Sequence, residues 1–74
     1  MRISARNQLA GLVKQINAGA VNAEIIVALP GGGEIVSVIT KASAKALKLK
    51  KGAPVTAIIK ASDILLAVTG GPAD

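Results

Sequence analysis

Three short stretches of the chain carry residues able to hold an oxyanion. Ser4 and Arg6 are two apart, so on an extended backbone a hydroxyl and a planar guanidinium point to the same side and can converge on one small target. Lys60 and Ser62 repeat that arrangement across Ala61. Thr40 and Ser43 open the segment with the best helical composition, where the free N–H groups of a first turn and the positive end of the dipole favour an anion. Each stretch also has a plainer reading: strand ends facing solvent for the first two, and an N-cap with a polar first turn for the third. Together they offer two cations, several hydroxyls and helix-start amides, a set suited to a compact tetrahedral oxyanion. None of them supplies a general base.

The composition removes other chemistries. The 74 residues include no Cys and no His, which excludes a disulfide framework, a thiolate nucleophile, a zinc site and a Ser-His-Asp relay. The acidic residues are Glu24, Glu34, Asp63 and Asp74, isolated from one another and poor material for a divalent-cation cage or a carboxylate pair. Aromatic residues are absent, and with them the stacking platforms of single-stranded nucleic-acid binders. What remains is nine Lys and Arg, seven Ser and Thr, eight Gly and a net charge of +5, all favourable to anions. An enzyme is therefore the least supported reading.

The elements that must position these residues read as mostly β, with short apolar blocks punctuated by Gly, Pro and Asn. A first strand is expected over Ala5 to Ile16, with Gly11 as a bend or bulge inside it and a turn at Asn17-Ala18-Gly19-Ala20. A second runs from Val21 to Leu29, where Val21, Ala23, Ile25, Val27 and Leu29 make one wholly apolar face. Pro30-Gly31-Gly32-Gly33 is a hairpin loop into a strand Glu34 to Ile39. It is not a phosphate-binding loop, because the Gly-Lys-Ser/Thr ending is missing and a strand follows.

Thr40 to Lys48 predicts a helix capped by Thr40, with Lys41, Lys45 and Lys48 on its wet side and Ala42, Ala46 and Leu49 opposite. Lys50 to Pro54 breaks it. Strands Val55 to Ala61 and Ile64 to Val68 follow, separated by a Ser62-Asp63 turn, and Thr69 to Asp74 is expected to be a loose tail. Three strands, a short helix and two more strands is the order of a five-stranded OB-like barrel, a single domain over residues 1–68. Several strands are apolar on both faces: Val36 and Val38 oppose Ile35 and Ile39, and Leu65 opposes Ile64 and Leu66. Such surface predicts a symmetric homo-oligomer.

The stretches Ile3-Ser4-Ala5-Arg6-Asn7-Gln8-Leu9, Gly19-Ala20-Val21-Asn22-Ala23-Glu24, Val38-Ile39-Thr40 and Val55 through Ser62 closely resemble the molbindins, or Mop proteins, over residues 1–68. The resemblance implies a small cytoplasmic OB-fold protein that binds molybdate, and also tungstate, at interfaces between the subunits of a hexamer built as a trimer of dimers. Carried over by position, it implies Ser4, Arg6, Lys60, Ala61 and Ser62 as oxyanion ligands of one subunit, with Thr40 and Ser43 supplied by a neighbour. A second class of site is implied near Ala20, Val21 and Asn22. Molybdenum is then held only as the oxyanion, with no organic cofactor and no side chain bonded to the metal.

The same module occurs fused in regulators and transporter ATPases, and a chain of this length matches the storage or homeostasis member. Two other readings stay open: a basic module binding nucleic-acid phosphates, which a steep salt dependence would reveal, and a ligand-free oligomerisation domain. The opening Met1-Arg2-Ile3-Ser4 lacks a long apolar stretch, so a soluble, cytoplasmic protein without membrane attachment is expected.

Overall fold

Strand β2 shows how the fold is assembled, because its residues alternate strictly between a core face and a wet face. Ala23, Ile25 and Val27 are buried, while Asn22 and Glu24 are exposed. The computed structural model of the chain describes residues 2–70. In order they form β1 (Asn7–Ala18), β2 (Asn22–Ala28), β3 (Glu34–Thr40), α1 (Lys41–Ala46), β4 (Pro54–Ile59) and a 3₁₀ turn (Ala61–Asp63). The strands make one antiparallel sheet in the order β3-β2-β1-β4. Val13 of β1 is the most deeply buried large side chain, 1% exposed, and with the three β2 residues it makes the core. Burying Val13, Ile25 or Val27 contributes about 1.5–3 kcal/mol each. Val21, expected on the same face, lies in the turn before β2 and is exposed.

Strand β1 is long enough to serve two neighbours. Its first half pairs with β4, from Asn7 opposite Ile59 to Leu12 opposite Pro54. Its second half pairs with β2, from Leu12 opposite Ala28 to Ala18 opposite Ala23. The changeover falls at Leu12, and Gly11 is the residue that permits it. A Cβ on Gly11 would lie 2.5 Å from the Ala28 carbonyl oxygen and 2.8 Å from Val27 Cγ1. Of the bend or bulge expected at Gly11, the bulge lies instead between Val13 and Gln15, with Lys14 as the extra residue. Lys14 tolerates that place because its side chain stays in solvent and forms an ion pair with Glu34 at the start of β3. Bulge and changeover together curl the sheet.

Other boundaries also move. β1 starts at Asn7 instead of Ala5 and runs to Ala18 instead of Ile16, and β4 ends at Ile59 instead of Ala61. The hairpin at Pro30–Gly33 forms as read: Gly31 and Gly32 take φ of +91° and +103°, and the Leu29 N–H donates to the Gly33 carbonyl at 2.8 Å. Helix α1 is capped by Thr40 but stops at Ala46, before the expected end at Lys48. The stop is a left-handed cap at Lys48 (φ 55°), with Lys48 N–H donating to Lys45 O (3.0 Å) and Leu49 N–H to Ala44 O (3.1 Å). Ala44 and Leu49 are the side chains packed on the core, whereas Ala42 and Ala46, expected to face inward, are exposed. Six residues make less than two turns, and this short helix sits against β3 and β2.

The described residues contain four strands, one fewer than expected. Ile64–Val68 leaves the 3₁₀ turn in an extended conformation (Ile64 φ −96°, ψ 120°) but has no ladder partner. Leu65, Leu66 and Val68 are 92%, 93% and 84% exposed. Alternation alone makes a segment competent to be a strand; hydrogen bonds to a neighbour make it one. The architecture is thus mainly β, a curled antiparallel sheet with little helix. Of the expected tail, Gly71 to Asp74 lie outside the described residues. No described helix is long and apolar enough to cross a membrane.

Candidate functional site

The antiparallel register of β1 and β4 brings two of the three candidate stretches together. Asn7 sits opposite Ile59 at the end of that ladder, so Arg6 and Lys60 are the residues that directly adjoin its last pair, with Ser4 and Ser62 two further along each chain. A guanidinium, an ammonium and two hydroxyls therefore share one end of the sheet. All four side chains are exposed, and none bonds to another described residue.

The local geometry differs from the extended one expected. Ser4 and Arg6 lie on bends ahead of β1, and Ser62 lies inside the 3₁₀ turn, so neither pair is held on one face by strand alternation. The bends are shaped by Gln8, whose side-chain amide donates to the Ala5 carbonyl at 2.8 Å. Gln8 stands inside the Ser4–Leu9 stretch, and nothing in its residue type singled it out for that role. Ala61, with an apolar side chain, can offer an anion only its backbone N–H.

The third stretch is at the other end of the sheet. Thr40 pairs with Asn22 across β3 and β2, and Asn22 lies just beyond the Ala18–Ala23 pair that ends β1. The Lys41 N–H donates to the Val21 carbonyl at 2.8 Å, which ties the Ala20–Val21 turn to the start of α1. Thr40, Ser43, Ala20, Val21 and Asn22, expected in two classes of site, are thus one neighbourhood. Thr40 Oγ1 accepts from the Ser43 N–H at 3.0 Å and donates to Ser43 Oγ at 2.8 Å, which leaves the Ser43 hydroxyl proton available to a ligand. Beside it, Gln15 donates to Asn17 (2.7 Å) and Asn17 to Glu24 (2.9 Å), a polar ladder that single-residue reading missed.

The strand β1 stands between the two groups. From Asn7 to Ala18 is about 35 Å along a strand at ~3.3 Å per residue, so the register of a single chain separates Arg6 and Lys60 from Thr40 and Ser43. Each half holds hydrogen-bond donors open to solvent, with Arg6 and Lys60 at one and Lys41 and Lys45 of α1 flanking Thr40 and Ser43 at the other. Among the described residues, no group of three or more His, Cys, Asp and Glu is placed to hold a metal ion. The arrangement offers an anion charge-assisted hydrogen bonds.

Residues 3–66 match the TOBE domain. The chain is 42% identical over 66 residues to molybdenum-pterin-binding protein 1 of Clostridium pasteurianum, covering 89% of this chain and 97% of that relative. It is 46% identical over 72 residues to the molybdenum-pterin-binding protein MopA of Rhodobacter capsulatus, covering 97% of this chain and 27% of MopA. Among solved structures it superimposes on the cytoplasmic molybdate-binding protein ModG, in a form with molybdate bound, with a TM-score of 0.90 and 54% identity over 93% of this chain and 49% of that one. On MopII from Clostridium pasteurianum the TM-score is 0.86 at 40% identity, covering 90% of this chain and all of MopII.

Proposed function

The chain belongs to the TOBE-domain family, among its molybdenum-pterin-binding (Mop) members, and from that premise we propose that it binds molybdate reversibly, without making or breaking bonds. The observation that carries the reading is the division of donors between the two ends of β1. Arg6, Lys60, Ser4, Ser62 and the Ala61 N–H form one half of a ligand shell, and Thr40 and Ser43 the other, so a second copy of the chain completes the site. Asn22 and the Ala20–Val21 backbone, joined to Thr40 by the sheet, furnish the second class of site.

Molybdate accepts hydrogen bonds and donates none, and this set supplies donors in the Arg6 and Lys60 cations, the Ser4, Ser62 and Ser43 hydroxyls and the Ala61 N–H, while Thr40 gives its own proton to Ser43 Oγ and orients that hydroxyl. Desolvating a dianion is costly, and each charge-assisted bond returns about 1.5–3 kcal/mol net, so several must act together. Tungstate, a tetrahedral dianion of nearly the same size, meets the same donors and binds too. The assembly is a hexamer, a trimer of dimers, with residues 1–68 as each subunit's single domain and 69–74 as its tail. Its role is molybdenum storage and homeostasis in the cytoplasm, and it needs no organic cofactor, membrane or nucleic acid.

Native mass spectrometry of the purified protein titrated with molybdate, with sulfate in parallel, reads subunit number and ion number together. A hexamer that gains several molybdates and no sulfate is the expected result. A species whose mass ignores molybdate and tungstate at micromolar concentration overturns the proposal. Binding to oligonucleotides that falls steeply with salt and ignores molybdate would put the nucleic-acid reading in its place.

A further inference from the structure

The net charge of the chain is gathered in one short stretch. Lys41, Lys45, Lys48, Lys50 and Lys51 follow one another closely, and no acidic residue occurs from Ile35 to Ser62. The remaining cations, Arg2, Arg6, Lys14 and Lys60, are matched in number by the four Asp and Glu, so these five lysines carry the whole net charge of +5. The fold keeps them unopposed. Lys14 is taken up by Glu34, whereas none of the five forms an ion pair with another described residue, and all five are exposed.

Their backbone is pinned. Lys41 and Lys45 stand one turn apart on α1, and the Lys48 N–H donates to the Lys45 carbonyl at 3.0 Å. The Lys50–Ala53 turn closes by Ala53 N–H to Lys50 O (3.0 Å) and is fastened to β1 by Gly52 N–H to Val13 O (2.8 Å). The band therefore has a fixed head and a fixed direction: it begins beside Thr40 and Ser43, where a hydroxyl proton is free for a ligand, and leads away from them to the middle of β1. Every member is lysine. An ammonium is a compact, strongly hydrated point charge without the guanidinium fork, so it attracts an anion from a distance better than it grips one. A surface of one sign raises the local concentration of counter-ions and speeds their encounter with a neighbouring site.

We propose that the lysine band is a collecting surface for small oxyanion dianions, which draws molybdate toward the Thr40–Ser43 half-site and sets the rate of its capture. The inference rests on the molybdate reading of that half-site and adds the means of approach. Lys48, Lys50 and Lys51 lie beyond α1, on the order of 15 Å from Ser43 at about 1.5 Å per helical residue and ~3.3 Å per extended one, and act through their field alone. At that distance three unit charges in water speed the arrival of a dianion about fivefold at about 10 mM salt, where the Debye length is ~30 Å. The gain falls to about 1.5-fold at about 0.15 M. An arriving anion and a bound one feel nearly the same distant field, so the gain belongs to association and leaves dissociation unchanged.

The test is rapid filtration of the whole protein with radiolabelled molybdate, with association read over a salt series and dissociation by chase with unlabelled molybdate. Lys48→Gln/Lys50→Gln/Lys51→Gln is compared with Lys48→Arg/Lys50→Arg/Lys51→Arg and with wild type, and melting curves check that all three are folded. The expected result is association about fivefold slower in the glutamine variant at about 10 mM salt, nearly equal rates at about 0.15 M, one dissociation rate throughout, and wild-type behaviour in the arginine variant. A glutamine variant that captures molybdate at the wild-type rate at low salt overturns the proposal. So does a change carried by dissociation, which would make these lysines ligands. Wild-type protein that takes up no molybdate defeats the functional reading and this one with it, whereas normal uptake at a rate indifferent to the three lysines defeats this one alone. Oligonucleotide binding that ignores molybdate and is lost in the glutamine variant would assign the band to a macromolecular polyanion and overturn the proposal as well.

Discussion

Replacing Gly11 by Ala tests the claim that only a residue without a Cβ fits where β1 passes from β4 to β2. An added Cβ would stand 2.5 Å from the Ala28 carbonyl oxygen, where ordinary contact begins near 3.4 Å, and 2.8 Å from Val27 Cγ1. The carbonyl belongs to the backbone of β2 and cannot rotate away, so relief requires β1 and β2 to separate by about 1 Å where Leu12 must pair with both neighbours; overpacking of that kind costs about 1–3 kcal/mol. Opposing it is the smaller conformational entropy of the unfolded alanine chain, worth about 0.4–1 kcal/mol in favour of the variant. The cost wins, and at roughly 4–8 °C per kcal/mol for a domain of this size the melting temperature falls by about 5–15 °C. With no aromatic residue the backbone is the chromophore, so the assay is far-ultraviolet circular dichroism through heat and urea, at one protein concentration because association contributes to apparent stability. Gly33→Ala is the control: its Cβ meets nothing nearer than Leu29 Cδ1 at 3.7 Å, and its φ is not positive. Equal melting temperatures for the two variants would refute the close-approach argument.

Three further outcomes follow from the site and its helix. Lys48→Gly relieves a left-handed backbone that costs a side-chain-bearing residue about 1–2 kcal/mol, partly offset by a freer unfolded chain, so it raises stability by about 0.5–1 kcal/mol in a urea titration; an unchanged or lower midpoint would count against the Schellman cap. Thr40→Val removes the hydroxyl that caps α1 and lowers stability by about 1 kcal/mol, while Thr40→Ser restores both the cap and molybdate affinity; a valine variant of wild-type stability would show that the cap carries no weight. Arg6→Ala and Lys60→Ala each weaken molybdate binding about 10- to 150-fold by calorimetry, the equivalent of one charge-assisted bond, and leave the melting curve near wild type because both side chains are exposed and unpaired. Wild-type affinity in both would remove them from the site.

Which parts of this were legible in the sequence depends on how local the cause is. The faces of β2, the Thr40 cap and the Gly31-Gly32 hairpin each follow from a few adjacent residues, and each is present. Gly11 was conspicuous, but a glycine in a strand marks either a bulge or a close approach, and only the position of Ala28, seventeen residues away, decides between them. The helix stop at Lys48 carried no glycine to announce it. The fifth strand failed for a related reason: Ile64–Val68 has the right pattern, but the pattern cannot say which edge it will find. The candidate ligands were visible as residue types. Their division into Ser4, Arg6, Lys60, Ala61 and Ser62 against Thr40 and Ser43 came only through the family resemblance, because residue types alone do not give the register that ends the β1–β4 ladder at Asn7 and Ile59 and pairs Thr40 with Asn22.

That separation makes β1 a gauge. If the two half-sites of different copies must meet, the spacing between neighbouring anions in an assembly is set by how many residues lie between Asn7 and Ala18. It can change only in steps, since adding one residue turns every following side chain to the opposite face, and adding two restores the faces while lengthening the strand by about 6.6 Å. The dimensions of such an assembly would then be quantised by strand pleat, and a relative with a longer or shorter β1 would have to change the assembly's size or rotate its subunits to keep the same anion in reach.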